Sequence, residues 1–332
     1  MAKRRTVFVS DCEGPITKND NAAELAEAFI PKGHIFFSKI SLYDDHLAEV
    51  VHRPGYKAGD TLRLILPFFK AFGLDNRSMI KFSRRNIQMI PEAARMLKEI
   101  LGLVPSYIVS TSYSQYIVAV CGAIGFPFLN TFSTAVNLDN YDLSPKEKRI
   151  LKDIHAQILA LPDFRIPSSA GSVEDLSESD RKTIHALDEI FWEIIPGLEI
   201  NRIITEVNPV GGIEKAQAIE RICEAEAVDL ENVFYVGDSI TDVDAFRMVR
   251  QAGGVALSFN GNDWAVKEAS FAVTARNALP IGWLALLFAN HGFSGFEDLM
   301  ISQVMPETAE RISNLSCSVR KTVRTEKIGS LG

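Results

Sequence analysis

Cysteine is scarce: Cys12, Cys121, Cys223 and Cys317 are the only four in 332 residues, and no two are spaced as CxxC. A thiolate zinc site is not expected, and with no signal-peptide pattern the expectation is reduced thiols in a cytoplasmic protein. Dense basic tracts are missing too. Beyond Lys3-Arg4-Arg5 and Arg84-Arg85 the cations are dispersed and the formal net charge is -7, so nucleic acid is not an expected partner. No apolar run is long enough to span a bilayer. The most apolar stretch, Ala278 to Ala289, ends in Asn290-His291-Gly292 and is expected to form a buried helix. There is no internal repeat, no low-complexity tract and no pattern that specifies an oligomer. What is present, 47% hydrophobic residues, is enough for one large core with or without a smaller companion.

Short β-branched or aromatic runs bounded by turn residues predict strands at Thr6 to Ser10, Tyr107 to Ser110, Val233 to Val236, Val255 to Ser258 and Phe271 to Val273. Helical patterns lie between them at Pro91 to Leu101, Tyr113 to Ala123, Glu214 to Ala227 and Thr241 to Gln251. Strand and helix alternate, which predicts an α/β fold with a doubly wound parallel sheet. Two segments break the alternation. Residues 19–90 read as several helices, a smaller domain inserted after the first strand. Residues 137–195 read as a charged helical insertion in a core formed by 1–18 and 91–293, extending the small domain, the sheet edge or a partner surface. Residues 294–332 read as one more helix and a mobile basic tail.

In open α/β sheets ligands bind beyond the carboxyl ends of the strands, so polar residues directly after an apolar run are where chemistry is sought. The first strand runs into Asp11-Cys12-Glu13-Gly14-Pro15, two carboxylates one residue apart on a turn that lets them converge. A carboxylate that attacks phosphorus gives an acyl phosphate; a second carboxyl can protonate the leaving oxygen and then activate water. Taken alone, a strand-end Asp-x-Glu is more often a turn or a helix cap. The second strand runs into Ser110-Thr111-Ser112, hydroxyls that serve either as phosphoryl ligands or as an N-cap. Lys215 follows Gly211-Gly212-Ile213 at a helix start, where a cation opposes the helix dipole. It is either surface solvation or the neutraliser of phosphate and nucleophile charge. Gly237-Asp238-Ser239-Ile240-Thr241-Asp242 places acids at a strand end and a helix start, hard oxygen ligands for magnesium or a turn with a helix cap.

In this order, Asp-x-Glu-Gly, a strand-end Ser, a Lys after Gly-Gly and Gly-Asp-Ser-x-x-Asp resemble the haloacid dehalogenase (HAD) superfamily. The resemblance covers roughly residues 2–16 and 92–287 apart from the second insertion. It implies a Mg2+-dependent phosphatase acting on a small phosphorylated metabolite, with Asp11 as nucleophile and Glu13 as general acid/base. Ser110 and Lys215 would bind the phosphoryl group. Asp11, Asp238 and the Glu13 carbonyl would ligate Mg2+, and Asp242 would hold its water shell. The 19–90 insertion occupies the place of the superfamily's helical cap and is similar to that of phosphoserine phosphatases. Asp20 stands where those enzymes place an acid for the substrate amine, and Arg63 near the expected carboxylate-binding arginine.

The sequence departs from that pattern in three places. Glu13 replaces the commoner Asp, a form also found in related phosphoserine phosphatase and homoserine phosphotransferase enzymes. Thr111 and Ser112 replace two glycines, which narrows the space beside the phosphate and counts against phosphoserine itself. The 137–195 insertion has no counterpart. Phosphotransfer to an alcohol is the alternative reaction. The chain also resembles archaeal superfamily members named as subunits of an energy-converting hydrogenase, an accessory role. His34, His46 and His52 have no paired spacing and are expected at the surface or as satisfied core residues. Phe36-Phe37 and Phe68-Phe69 are expected in the cap core; the alternative is that one of them faces the substrate pocket instead.

Overall fold

The computed structural model describes residues 5–166, 172–299 and 306–324. Six strands, β1 (Val7–Ser10), β2 (Ser106–Tyr113), β3 (Thr131–Thr134), β4 (Val233–Gly237), β5 (Val255–Phe259) and β6 (Phe271–Val273), form one parallel sheet in the order β3-β2-β1-β4-β5-β6. All residues of β1, β4 and β5 are buried, as a sheet covered on both faces requires. Alternation along the strands divides the core in two. Val7, Val9, Tyr235 and Ala256 pack against α11 (Ile213–Glu226), α12 (Val243–Gln251) and α13 (Asp263–Glu268). Phe8, Phe234, Val236 and Leu257 pack against α6 (Ala93–Leu101), α7 (Ser114–Ile124) and α14 (Leu279–His291).

Strand β3 has no apolar run to announce it, because Thr131-Phe132-Ser133-Thr134 is a half-buried edge strand whose hydroxyls face outward as well as inward. Strand β2 continues through Thr111-Ser112-Tyr113 instead of ending at Ser110. Helix α14 is apolar on every side, yet only one side is buried. Trp283 is 67% exposed, since α14 lies in the outer layer, so the helix expected to be buried is buried along one face. Among the described residues no helix is long and apolar enough to cross a membrane.

The chain between β1 and β2 forms α1 (Asn21–Phe29), α2 (Gly33–Asp45), a π turn (His46–Val50), α3 (Thr61–Leu64), α4 (Leu66–Ala71) and α5 (Asn76–Asn86). The later charged segment supplies α8 (Pro145–Ala160) and α9 (Glu178–Glu189), and the chain just beyond it α10 (Arg202–Glu206). Leu151, Ile154, Leu187, Phe191 and Ile203 enter the same apolar cluster as Leu25, Phe36, Phe68 and Phe69. The two helical segments thus make one layer over the carboxyl edge of the sheet, pinned to each other by Phe68 edge-on to Phe191 at 6.3 Å. His34 and His52 are exposed. His46 departs from expectation: it is buried and its Nδ1 has no hydrogen-bond partner.

Where the chain enters and leaves this layer, Lys18 N–H donates to the Gln88 carbonyl at 2.8 Å and Gln88 N–H to Asn19 Oδ1 at 2.7 Å. The two crossings are therefore one tied neck beside the end of β1. After α14, a 3-10 segment (Phe293–Leu299) precedes α15 (Pro306–Arg324), which contacts α13; Ser316 Oγ donates to the Gly261 carbonyl at 2.7 Å. The tail read as mobile, 325–332, lies outside the described residues.

Candidate active site

The strand order reverses around β1, so the crevice at the carboxyl ends of β1, β2 and β4 is the place where a ligand site is expected. Asp11 follows β1 directly, and its N–H still donates to the Val236 carbonyl of β4 at 2.8 Å, which holds its side chain above the strand ends. The chain then turns through Cys12 to Thr17, with Ile16 and Thr17 N–H on the Cys12 carbonyl. Gly14, at φ +98°, lies so close to the next motif that a Cβ there would stand 2.2 Å from Asp238 Cγ. Gly237 is required for the same reason: its Cβ would come within 2.3 Å of Asp242 Cγ.

Lys215, on the first turn of α11 and 0% exposed, joins the two motifs. Its Nζ donates to Asp11 Oδ2 at 2.6 Å and to Asp242 Oδ1 at 2.7 Å. Asp242 Oδ1 also accepts from Tyr235 Oη at 2.5 Å, and its Oδ2 accepts from the Asp238 and Ser239 amides at 2.9 and 3.0 Å. Asp11 Oδ1 accepts from the Cys12 amide at 2.6 Å. From the far end of the chain, Arg320 on α15 inserts a buried guanidinium whose Nη1 donates to the Asp238 carbonyl at 2.7 Å and to Asp238 Oδ2 at 2.6 Å.

No family model matches the chain. A solved gene product of Archaeoglobus fulgidus is 29% identical, with 98% of this chain and 100% of that one covered at a TM-score of 0.83. Phosphoserine phosphatase in its apo form overlays 84% of this chain and 98% of its own, at 14% identity and a TM-score of 0.50. Its substrate-bound complex gives the same coverage, identity and score. The fold is that of the haloacid dehalogenase superfamily. On this HAD fold the residues picked out by their place at strand ends and helix starts, Asp11, Asp238, Asp242 and Lys215, form one connected cluster.

Burial pushes the Asp11 carboxyl up, to about 7; Lys215 opposes the shift, while the charges of Asp242 and Asp238 add to it. Burial also works against the Lys215 ammonium, but Asp11 and Asp242 outweigh it and hold its pKa above the ordinary lysine value. For Asp242 burial acts upward and Lys215 prevails, keeping the carboxyl below its ordinary value. Oxygen atoms of Asp11, Asp238 and Asp242 lie within 4.8 Å of one another. An all-oxygen set with surplus negative charge suits a hard divalent cation. Asp242 is the most committed of the three, its two oxygens accepting from Lys215, Tyr235 and the two amides, whereas those of Asp11 accept one bond each, from the Cys12 amide and Lys215.

Above the cluster is a cavity of about 100 Å³, bounded by the HAD core on one side and the helical layer on the other. Glu13, Asp20 and Thr111 line it. Glu13 Oε1 accepts from the Asn21 amide at 2.8 Å, which ties this carboxylate to the start of α1. Asp20 is the N-cap of α1, accepting from the Ala23 amide at 3.0 Å, so it serves as cap and lining at once. Ser110 Oγ accepts from the Ser112 amide at 3.1 Å. The hydroxyls of Thr111 and Ser112 are buried without hydrogen-bond partners. Arg63 is not among the lining residues; its guanidinium is bonded to Asp60 and lies 5.4 Å from the Tyr56 ring centroid. Phe37 lines the cavity while Phe36, Phe68 and Phe69 are core.

Three residues of this neighbourhood carried no sequence signal. Arg320 sits in a basic segment that reads as solvated, and Tyr43-Asp44-Asp45-His46 has no spacing that marks it as a site. Asp44 and Asp45 nevertheless line the cavity and are buried. Burial, with the charges of Asp44 and Glu49, raises the Asp45 pKa well above its ordinary 3.8. The folded state therefore keeps a proton that the unfolded chain releases. Its contribution to stability is complete below 3.8 and is lost as the pH rises through the raised value. Relative to Asp45→Asn, the metal-free wild type is expected to lose about 1.4 kcal/mol per pH unit over that window. Denaturant titrations of both proteins from acid to neutral pH check this.

Proposed function

We propose that the chain is a Mg2+-dependent phosphatase that hydrolyses a small phosphate monoester through an aspartyl-phosphate on Asp11. The observation that carries this reading is Lys215, fully buried and within 2.7 Å of both Asp11 and Asp242, beside Asp238, which lines the cavity. A lysine enclosed by acids is suited to balance the charge that a phosphate adds when it enters.

Asp11, held by Lys215 and the Cys12 amide, attacks phosphorus; Glu13 donates a proton to the leaving oxygen. Glu13 then takes a proton from water as that water attacks the acyl phosphate, which frees phosphate and restores Asp11. Lys215 and the orphan hydroxyl of Thr111 contact phosphoryl oxygens, with Ser110 and Ser112 supporting this end of β2. Asp11, Asp238 and the Glu13 carbonyl would hold Mg2+, which supplies charge neutralisation at the phosphoryl group. Because the Glu13 side chain is bonded to the first residue of α1, the acid/base is positioned by the helical layer as well as by the core.

The test is phosphate release from a panel of small phosphomonoesters with Mg2+ and with chelator. Metal-dependent turnover supports the proposal, and a panel inert under varied divalent metals removes it. Arg320 gives a further expectation. By gripping both the carbonyl and a carboxylate oxygen of Asp238, it fixes the orientation of a metal ligand. Arg320→Ala is expected to weaken Mg2+ binding by roughly ten-fold, read by calorimetric titration without substrate.

A further inference from the structure

The cavity wall supplied by α2 carries Ser41, Asp44 and Asp45, none of which the phosphoryl chemistry uses. Asp44 is satisfied: it accepts from Tyr56 Oη at 2.6 Å and from the amides of Gly59 and Thr61 at 2.9 and 3.1 Å. Asp45 is different. It is 6% exposed, faces the cavity, and among the described residues its carboxyl makes neither a hydrogen bond nor an ion pair. A buried carboxyl without a donor either keeps its proton or waits for a cation.

The cavity itself supplies no such cation. Among the described residues that line it, six are Asp or Glu and none is Lys, Arg or His. A second divalent metal does not fit this wall. Among the described residues the only grouping of three acid, His or Cys ligands is Asp11, Asp238 and Asp242, and Asp45 is not in it. An organic ammonium needs fewer acceptors, and Phe37 lines the same wall with an aromatic ring, a side chain compatible with a cation. A carboxylate on the ligand would meet only like charge here, because Arg63 is held by Asp60 outside the lining.

Resting on the phosphatase reading above, we propose that Asp45, with Asp44, Ser41 and Phe37, is a subsite for an alkylammonium group. The substrate is then a phosphate monoester that carries a positive charge and no carboxylate. The ammonium donates a charge-assisted hydrogen bond to Asp45, and the orphaned carboxyl gains its missing partner.

The test compares three esters of similar size: 2-aminoethyl phosphate, propyl phosphate and O-phosphoserine. On the wild-type protein with Mg2+, kcat/KM for 2-aminoethyl phosphate is expected to exceed that for either other ester by on the order of ten- to a hundred-fold. Asp45→Asn is expected to erase that preference and leave turnover of propyl phosphate within about two-fold, since that ester has no amine to donate a hydrogen bond to Asp45. Binding is read separately, by calorimetry of the same esters on Asp11→Asn and on Asp11→Asn with Asp45→Asn. Amine-dependent binding that Asp45→Asn abolishes, with no ester hydrolysed by wild-type protein, upholds the subsite while the phosphatase reading fails. Hydrolysis with equal efficiency on all three, or a preference for propyl phosphate or O-phosphoserine, overturns the subsite and leaves the phosphatase standing. Should Asp45→Asn fold poorly, the ranking on wild-type protein decides alone.

Discussion

Asp11→Asn is expected to lower phosphate release by roughly 10⁴-fold or more while leaving the protein folded, because an amide is too poor a nucleophile to form the acyl phosphate. The fold should tolerate the change. Asn retains an oxygen for the Cys12 amide, and Lys215 keeps its contact with Asp242. Burial already favours the uncharged form of Asp11, so neutralising it removes little that stabilises the native state. Steady-state phosphate release together with a thermal melt separates the outcomes. Lost activity with a melting temperature near that of wild type is the expected result, and retained activity would move the nucleophile elsewhere.

Lys215→Met is expected to remove activity and stability together. It leaves Asp11 and Asp242 buried and facing each other without the cation between them. Stripping one partner from a buried ion pair costs about 3–5 kcal/mol. The sign of the pH dependence follows from Asp242, whose folded pKa is depressed. Its contribution is present above the ordinary 3.8 and lost as the pH falls through the depressed value. The destabilisation by Lys215→Met should therefore be large near neutral pH and shrink in acid, where the orphaned carboxylates take up protons. Denaturant titrations at both pH values measure this. A deficit that stays constant with pH would mean that Met fails through packing instead of charge.

The core was legible because each of its functional residues follows a local signal. Asp11 and Asp238 come directly after apolar strands, and Gly14 and Gly237 beside them are fixed by close approach. Lys215 was legible from its helix start, although its pairing with Asp242 was not. The remainder depends on contacts between distant segments. Arg320 reaches Asp238 across 82 residues from a helix whose pattern is that of an ordinary surface element. The segment 137–195 packs with α1–α5 through Leu151, Ile154 and Leu187, residues that would suit any amphipathic helix. Asp44 and Asp45 carry no motif or spacing that marks them, yet they end α2 just before the π turn at His46–Val50 and are buried against the cavity. Arg63 shows the converse: its residue type suited a substrate carboxylate, but Asp60, three residues earlier, holds it instead.

The central claim is that Asp11 itself takes the phosphoryl group, and acid quenching during turnover tests it most directly. The protein is mixed with Mg2+ and a hydrolysed ester, quenched, digested and read by mass spectrometry. The account predicts that the peptide containing Asp11 gains the mass of one phosphoryl group, that hydroxylamine removes it, and that Asp11→Asn never acquires it. Steady phosphate release with that peptide unmodified at every quench time, or with the label on another residue, would contradict it.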